Sequence, residues 1–259
     1  MKTNIFKNKR VIITGHTGFK GSWLTLWLSM LGANVIGISK NIPTKPSHYK
    51  SIGLEKKIKN IKLDICNVKK LSKIIRNNQP DFVFHLAAQS LVKRSYAKPL
   101  ETYYTNTIGT LNLLESLRQI KRKCFVVLIT SDKSYKNLEI SRGYRENDIL
   151  GGKDPYSASK GSAELIIQSY LNSFFSKKKN KVYIGIARAG NVIGGGDWSP
   201  NRLIPDCIKS YSKKKPAIIR NPRSTRPWQH VLEVIFGYIT LARKLYANPK
   251  LHGEVFNFG

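Results

Sequence analysis

The chain has 259 residues, 41% of them hydrophobic, and a formal net charge of +30. This size predicts one large domain, or one domain with a smaller second one. The cysteines Cys66, Cys124 and Cys207 are far apart and odd in number. They argue against a disulfide framework or metal site and for a reduced, cytoplasmic protein. His16 and Lys20 interrupt the first apolar stretch, and no uninterrupted run approaches the ~20 residues of a membrane span.

The positive charge brings nucleic acid or an anionic membrane surface into consideration as a partner. Lysines are spread from Lys2 to Lys250 rather than gathered on one segment. This spread favours a basic solvated surface, so we expect neither nucleic acid nor membrane as a partner. Part of the charge could attract an anionic small molecule. A regulatory or nucleic-acid-binding protein stays open as an alternative class.

Short apolar runs alternate with helical patterns in the first half of the chain. Strands are predicted at residues 10–14, 34–39, 58–63, 82–87 and 125–131, and helices at residues 21–31, 68–78 and 103–120. Such alternation predicts an α/β fold of the Rossmann type, with a doubly wound parallel sheet covered by helices on both faces.

The pattern continues with a helix at 156–175, a lysine-rich turn at 177–181 and a strand at 182–187. We place a dinucleotide-binding domain at residues 1–190. Glycine, proline and arginine dominate from residue 191 to 228, before a helix at 230–246 and a strand at 254–258. Residues 191–259 are therefore predicted to form part of a smaller C-terminal substrate-binding region, interleaved with the first domain. Because the chain stops directly after a strand, we expect this region to be truncated.

Three glycines, Gly15, Gly18 and Gly21, follow the first strand at a spacing of three and open a helix. The first permits a tight turn, the second lets the backbone approach a pyrophosphate, and the third lets helix and strand pack closely. The helix N-terminus favours the phosphate charge. This turn therefore predicts a dinucleotide site.

The usual marker of cofactor type is an acidic residue after the second strand, which binds the ribose hydroxyls of NAD. This chain has Ser39 and Lys40 there, and Lys40 could face a 2′-phosphate. The residues alone leave NAD and NADP open. Asp64, after the third strand, could bond the adenine or could cap the helix at 68–78.

Tyr156 and Lys160 lie four residues apart, on one face of the predicted helix. A lysine ammonium there favours the ionised phenol, which would make Tyr156 a base for a substrate hydroxyl. Ser131 ends a strand and can donate a hydrogen bond to the same oxygen. Its neighbours Asp132 and Lys133 either take part in the chemistry or form a structural ion pair.

The glycine turn, the serine at a strand end and Tyr-x-x-x-Lys, in this order, resemble the extended short-chain dehydrogenases. Within that family, residues 131–133, 151–156, 189–198 and 223–230 are similar to the CDP-glucose 4,6-dehydratases. The resemblance implies an NAD-dependent hydro-lyase that oxidises C4 of CDP-glucose, removes water across C5 and C6, and reduces C6. Such an enzyme serves deoxysugar and lipopolysaccharide O-antigen biosynthesis. A nucleotide-sugar 4-epimerase or reductase of the same fold stays open.

The resemblance also implies roles for individual residues. Asp132 would protonate the departing C6 hydroxyl. Lys133 stands where related dehydratases have the glutamate that removes the C5 proton, so the identity of that base stays open. The implied catalytic residues are Ser131, Asp132, Lys133, Tyr156 and Lys160.

Cofactor and substrate contacts are implied in the same way. The implied NAD contacts are Gly15, Thr17, Gly18, Phe19, Lys20, Gly21, Ser39, Asp64, Ile65, Leu86, Ala87, Ala88, Gln89, Thr105, Tyr156, Lys160 and Val192. The implied substrate contacts are Ser131, Asn191, Arg202, Leu203, Arg226 and Asn257. No metal is expected, and related enzymes suggest a homo-oligomer.

Overall fold

The computed structural model describes residues 4–176, 180–219 and 221–259, so most of the lysine-rich turn predicted at 177–181 lies outside the described residues. The described strands are β1 (Arg10–Thr14), β2 (Asn34–Ser39), β3 (Lys59–Lys62), β4 (Phe82–His85), β5 (Cys124–Ile129), β6 (Val182–Ala189), β7 (Asn191–Ile193), β8 (Trp228–His230) and β9 (Val255–Phe258). The described α-helices are α1 (Phe19–Met30), α2 (His48–Ser51), α3 (Val68–Asn78), α4 (Val92–Ala97), α5 (Pro99–Tyr103), α6 (Gly109–Leu117), α7 (Pro155–Tyr170), α8 (Leu203–Ser212) and α9 (Val231–Ala247).

Among the described strands, seven form one parallel sheet in the order β3-β2-β1-β4-β5-β6-β9. The predicted doubly wound parallel sheet is therefore confirmed. The direction of winding reverses between β1 and β4, and open α/β sheets bind ligands at the carboxyl ends of strands beside such a reversal. The strands β7 and β8 pair with each other outside this sheet.

Helices cover both faces of the sheet, so the strands are buried on both sides. Val11 and Ile13 of β1 pack towards α1 and α9, whereas Ile12 between them packs towards α3, α6 and α7. This alternation follows from the two-residue period of a strand. The two apolar layers hold the strand ends, and the loops that follow them, in fixed relative positions.

The chain returns to the sheet after residue 190. Helix α9 packs on β5 and β6, and β9 pairs with β6, whereas β7, β8 and α8 lie outside the sheet. This layout is compatible with the predicted boundary at residue 190 between the dinucleotide-binding domain and the substrate-binding region. We keep that domain boundary as a proposal. Within the described ranges, no helix is both long enough and apolar enough to cross a membrane.

Two segments differ most from the sequence prediction, while the helix predicted at 156–175 ends in a π-helical turn at Leu171–Phe175. The single helix predicted at 103–120 is divided into α5, a π-helical turn at Tyr104–Ile108, and α6. A π-helical turn re-aims side chains and is common at functional sites. The segment from 191 to 228, predicted to be irregular, contains β7, α8 and β8. Helix α8 carries apolar residues at helical spacing, at Leu203, Cys207 and Tyr211, but it buries none of its residues. Its pattern is short and lies among the glycine, proline and arginine residues that dominate this segment.

Candidate active site

The glycine turn lies between β1 and α1 at the carboxyl edge of the sheet. Gly15 has φ +76°, and a Cβ there would lie 2.7 Å from the backbone nitrogen of Ala87. A Cβ at Gly21 would overlap the carbonyl oxygen of Gly15. Gly18 precedes the first helical residue, and a Cβ there would meet only that same oxygen, at 3.3 Å. The turn is therefore a backbone cradle at a helix N-terminus, which suits a pyrophosphate.

The ends of β2 and β3 lie beside this cradle. The backbone N–H of Thr17 donates to Ser39 Oγ at 3.3 Å. Lys40 Nζ lies 2.9 Å from a carboxylate oxygen of Asp64. The cap of α3 is Asn67, whose side chain accepts from a backbone N–H in the first turn, so Asp64 does not serve as that cap. The side chain of Lys40 is 60% exposed, and its charge is partly balanced by Asp64.

Lys20, from the same glycine-rich segment, points into the cleft rather than into solvent. Its Nζ donates to the hydroxyl oxygen of Tyr238 on α9 at 3.3 Å. Burial, together with the charges of Lys160 and Arg202, lowers the pKa of Lys20 to about 7. Lys20 therefore lies within electrostatic reach of the predicted catalytic lysine.

The predicted cofactor segment after β4 comprises Leu86, Ala87, Ala88 and Gln89. The backbone N–H groups of Leu86 and Ala87 donate to the carbonyl and hydroxyl oxygens of Thr14, at 3.0 and 3.3 Å. The N–H of Gln89 donates to Asn106 Oδ1 at 2.8 Å, and Asn106 Nδ2 donates to Ser159 Oγ of α7 at 2.9 Å. Asn106 therefore joins the cofactor segment to the helix that carries Tyr156.

Two further predicted cofactor residues flank this segment. Thr105 lies in the π-helical turn directly before Asn106. Ile65 is buried, and a Cβ at Gly109 would collide with its side chain. The absence of a side chain at Gly109 therefore lets the start of α6 approach the segment after β3.

Ser131 opens a short 3-10 turn, Asp132–Ser134, directly after β5. Its Oγ donates to an Asp132 carboxylate oxygen at 3.0 Å and accepts from the Lys133 backbone N–H at 3.2 Å. The side chains of Asp132 and Lys133 form no ion pair with each other in the described part of the chain. The structural ion pair considered from the sequence is therefore absent, and the Asp132 carboxylate faces Ser131.

Tyr156 is the second residue of α7 and lies beside this turn. The helix is capped by Asp154, whose carboxylate accepts from the Tyr156 and Ser157 N–H groups at 3.0 and 3.1 Å. Burial raises the pKa of Tyr156, while its hydrogen bond with Ser131 and the charge of Arg202 oppose that rise. The phenol therefore carries its proton at neutral pH and must release it before Tyr156 can accept one from a substrate.

Lys160 lies one helical turn after Tyr156 and is buried. Burial lowers its pKa to about 8, and the nearby Glu164 carboxylate opposes this effect. Lys160 is therefore still a cation at neutral pH. The structure thus brings together Ser131, Tyr156 and Lys160, which the sequence predicts as one catalytic group.

Arg202, a predicted substrate residue, lies within electrostatic reach of Tyr156. Its guanidinium lies 3.2 Å from a carboxylate oxygen of Asp197 and donates to Ser90 Oγ at 3.0 Å. These partners hold it in a fixed orientation. Leu203 follows it as the first residue of α8 and is 41% exposed.

The remaining predicted contacts lie further along the substrate region. Asn191 and Val192 lie in β7, and Val192 is buried. Arg226 donates to the carbonyl oxygen of Thr225 at 2.6 Å. Asn257 accepts a hydrogen bond from the Tyr135 hydroxyl at 2.7 Å. In the described part of the chain, neither Arg226 nor Asn257 forms a hydrogen bond to Ser131, Asp132 or Tyr156.

The sequence alone did not indicate a role in the site for Asn106, Glu164 or Arg188. Glu164 lies one further turn along α7 from Lys160, so helical spacing could have indicated it. Arg188 interrupts an apolar strand, and a charge in such a run indicates a buried ion pair. No local pattern marks Asn106. The described residues contain no group of three or more histidine, cysteine or acidic side chains that could hold a metal.

Three relatives match nearly the whole chain. It is 50% identical over 259 residues to the CDP-glucose 4,6-dehydratase of Salmonella typhimurium, covering 99% of this chain and 72% of that protein. It is 30% identical to the dTDP-D-glucose 4,6-dehydratase of Dictyostelium discoideum, covering 100% of this chain and 59% of that protein. The solved structure of the epimerase Mth375 from Methanothermobacter thermautotrophicus superposes with a TM-score of 0.85 at 26% identity, covering 99% of this chain and 73% of that one.

The Rossmann sheet, the glycine turn and the Ser131, Tyr156 and Lys160 group define an extended short-chain dehydrogenase/reductase. Residues 12–253 match the family described as GDP-mannose 4,6 dehydratase. The chain belongs to this dehydratase family.

Proposed function

We propose that this chain is an NAD-dependent CDP-glucose 4,6-dehydratase, which forms CDP-4-keto-6-deoxyglucose and water. The identity of 50% to a CDP-glucose 4,6-dehydratase over 99% of the chain carries the proposal. The Asp132 carboxylate beside Ser131 supports it, because a dehydratase needs an acid that a 4-epimerase does not. Deoxysugar and O-antigen biosynthesis is the biological setting that such a product would serve.

The residues present fit a dinucleotide. A Cβ at Gly15 or Gly21 would close the turn, whereas the space above Gly18 is open to a pyrophosphate. The proposed contacts are those implied by the sequence, with the turn, the segment after β4, and Tyr156 and Lys160 at its centre. When bound, NAD would supply the group that accepts a hydride from the sugar and later returns it.

The chain's own residues would carry out the proton transfers. Tyr156 would act as a phenolate stabilised by the Lys160 cation, and it would accept the proton of the C4 hydroxyl as that carbon is oxidised, becoming a neutral phenol. Ser131 would donate a hydrogen bond to the same oxygen. The resulting C4 ketone makes the C5 proton acidic, and Lys133, acting as a neutral amine, is our candidate for the base that removes it. Asp132, acting as a carboxylic acid, would protonate the C6 hydroxyl so that it leaves as water.

The substrate diphosphate requires fixed cations, and an arginine guanidinium suits phosphate best. Arg202 is held by Asp197 and Ser90 close to Tyr156, which supports a role near the sugar end of the diphosphate. Arg226, Asn191, Leu203 and Asn257 complete the proposed substrate set.

A substrate panel tests this function. The full protein, supplied with NAD, is incubated with CDP-, UDP-, GDP- and dTDP-glucose, and the sugar products are identified by mass spectrometry. We expect CDP-glucose to be converted to a product that has lost one water. A C4 epimer of unchanged mass would instead establish the epimerase alternative.

The glycine turn provides a cofactor prediction. Gly18→Val places a side chain where the pyrophosphate must approach, although the protein itself crowds this position only mildly. We expect NAD binding measured by calorimetry to become undetectable while the fold is retained. Gly143→Val is a matched control, because a Cβ at that exposed position meets nothing within 4 Å. Unchanged NAD affinity in Gly18→Val would remove the turn from the cofactor site.

We also propose that the protein is cytoplasmic and assembles into a homo-oligomer. The free cysteines Cys66, Cys124 and Cys207 support a reducing compartment. The exposed apolar side chains Tyr96, Leu100, Tyr104 and Leu165 support a contact between copies. Light scattering of the purified protein measures that assembly directly.

A further inference from the structure

A buried ion pair lies directly behind the catalytic group. The carboxylate of Glu164 on α7 receives two hydrogen bonds from the Arg188 guanidinium, at 2.8 and 2.7 Å, and both side chains are 1% exposed. A buried pair of this kind often stabilises a protein no better than well-packed apolar residues would. Its presence therefore calls for an explanation other than folding stability.

The contacts of Glu164 supply that explanation. Its Oε1 atom accepts from Thr130 Oγ1 at 2.5 Å. Ser134 Oγ, which donates to the Ser131 carbonyl oxygen at 2.6 Å, lies 3.4 Å from the same Glu164 atom. One buried carboxylate therefore anchors the residue before Ser131 and contacts the last residue of the turn that carries the proposed hydrogen-bond donor and acid.

Glu164 also belongs to the helix that carries the proposed base. Tyr156, Lys160 and Glu164 follow each other at intervals of four residues along α7 and so share one face. All three side chains are buried. The carboxylate is thus a direct connection between the helix bearing Tyr156 and the segment that leads into the turn bearing Ser131.

Arg188 fixes Glu164 from the other side. It donates to the Tyr135 hydroxyl at 2.7 Å and to the carbonyl oxygen of Glu146 at 2.8 Å, and it lies 4.6 Å from the centre of the Tyr135 ring. Its own strand, β6, lies between β5 and β9 in the sheet. These contacts use four of the five guanidinium N–H groups, which leaves the Glu164 carboxylate little freedom to move.

We propose that Glu164, held by Arg188, is a positioning residue that sets the turn bearing Ser131 and Asp132 at the distance from Tyr156 that the oxidation step requires. This inference rests on the proposed function, because it assigns these side chains to one reaction. Ser131 and Tyr156 must meet the same substrate oxygen, and a misplacement of about 1 Å can cost about a hundredfold in rate.

Thr130→Val is the cleanest test. It keeps the shape of the side chain and removes only the hydroxyl that binds Glu164, whereas Glu164→Gln would leave the Arg188 charge buried without its counter-ion. We expect the single-turnover rate of cofactor reduction with CDP-glucose to fall about tenfold to a hundredfold. The KM for CDP-glucose should stay unchanged, and Thr130→Ser should recover most of the rate. Thr25→Val is a matched control, because the residues that the structure describes include no hydrogen-bond partner for the buried Thr25 hydroxyl.

A double-mutant cycle separates positioning from general loss of structure. If Thr130 acts through Ser131, Thr130→Val should lower the rate by less than about twofold in a Ser131→Ala background. Full additivity of the two effects, or a wild-type rate in Thr130→Val, would overturn the proposal.

Hydrogen exchange of the protein alone gives a readout that does not depend on turnover. Amides of residues 131–136 should exchange faster in Thr130→Val than in the wild type. In Thr25→Val they should exchange at the wild-type rate. Equal exchange in wild type and Thr130→Val would overturn the positioning role. A wild-type protein that converts no nucleotide-glucose would contradict the proposed function, while exchange would still decide whether Glu164 holds the turn.

Discussion

Tyr156→Phe is expected to slow the oxidation of C4 by about two to four decades, which is the usual contribution of a general acid–base group. The variant keeps the buried ring but removes the atom that accepts the proton. Lys160 then has no phenolate to stabilise, and Ser131 alone cannot take the proton away. Stopped-flow absorbance of the reduced cofactor, with CDP-glucose as substrate, measures this step. The affinity for CDP-glucose should change little, because the ring remains in place.

The control for this variant is Tyr49→Phe. The Tyr49 hydroxyl is buried and has no hydrogen-bond partner among the described residues, so its removal tests the loss of a buried phenolic hydroxyl outside the proposed catalytic group. We expect a wild-type rate from it. If Tyr156→Phe also turned over near the wild-type rate with substrate bound, Tyr156 would be structural and the base would have to be sought elsewhere.

The first and last residues of some helices and strands could be predicted, because neighbouring residues in the sequence set where these elements begin and end. Strands β1 and β2 begin and end where the sequence predicts, since each is a buried apolar run between polar residues. Helix α3 also matches, because Asn67 caps its start and Gln79 ends it in a left-handed conformation. Where the chain itself encodes the beginning and the end, the pattern is sufficient.

Boundaries could not be predicted where a distant contact sets the backbone. The π-helical turn inside the segment 103–120 places Asn106 against Ser159, which lies 53 residues away. Strands β7 and β8 are three residues each and exist only through pairing with each other. Neither feature leaves a periodic trace in the sequence.

The same distinction applies to the candidate site. The glycine turn, Ser131 and the Tyr156–Lys160 pair could be located because each obeys a local rule of strand end or helix face. Arg188 depends on Glu164, 24 residues away, for its charge balance. The sequence therefore indicates the side chains that would carry out the reaction. It does not reveal the buried hydrogen bonds and ion pair that hold those side chains in place.

The second large effect concerns the elimination step and rests on Asp132. Both a dehydratase and a 4-epimerase begin by oxidising C4, so both need Ser131, Tyr156 and Lys160. Only the dehydratase must also expel the C6 hydroxyl, and hydroxide is a poor leaving group unless an acid protonates it. Asp132→Asn keeps the oxygen that accepts from Ser131 Oγ at 3.0 Å but cannot give up a proton at neutral pH. The loss of water should therefore slow by about two to four decades.

We expect Asp132→Asn still to reduce the bound cofactor on mixing with CDP-glucose, and then to stop. The sugar released from the stalled protein should be a 4-keto-glucose that keeps its C6 hydroxyl. Single-turnover absorbance followed by mass analysis of that sugar distinguishes the two steps. A variant that forms 6-deoxy product at the wild-type rate would refute the role of Asp132. Loss of cofactor reduction itself would mean that Asp132 acts already in the oxidation, through its hydrogen bond with Ser131.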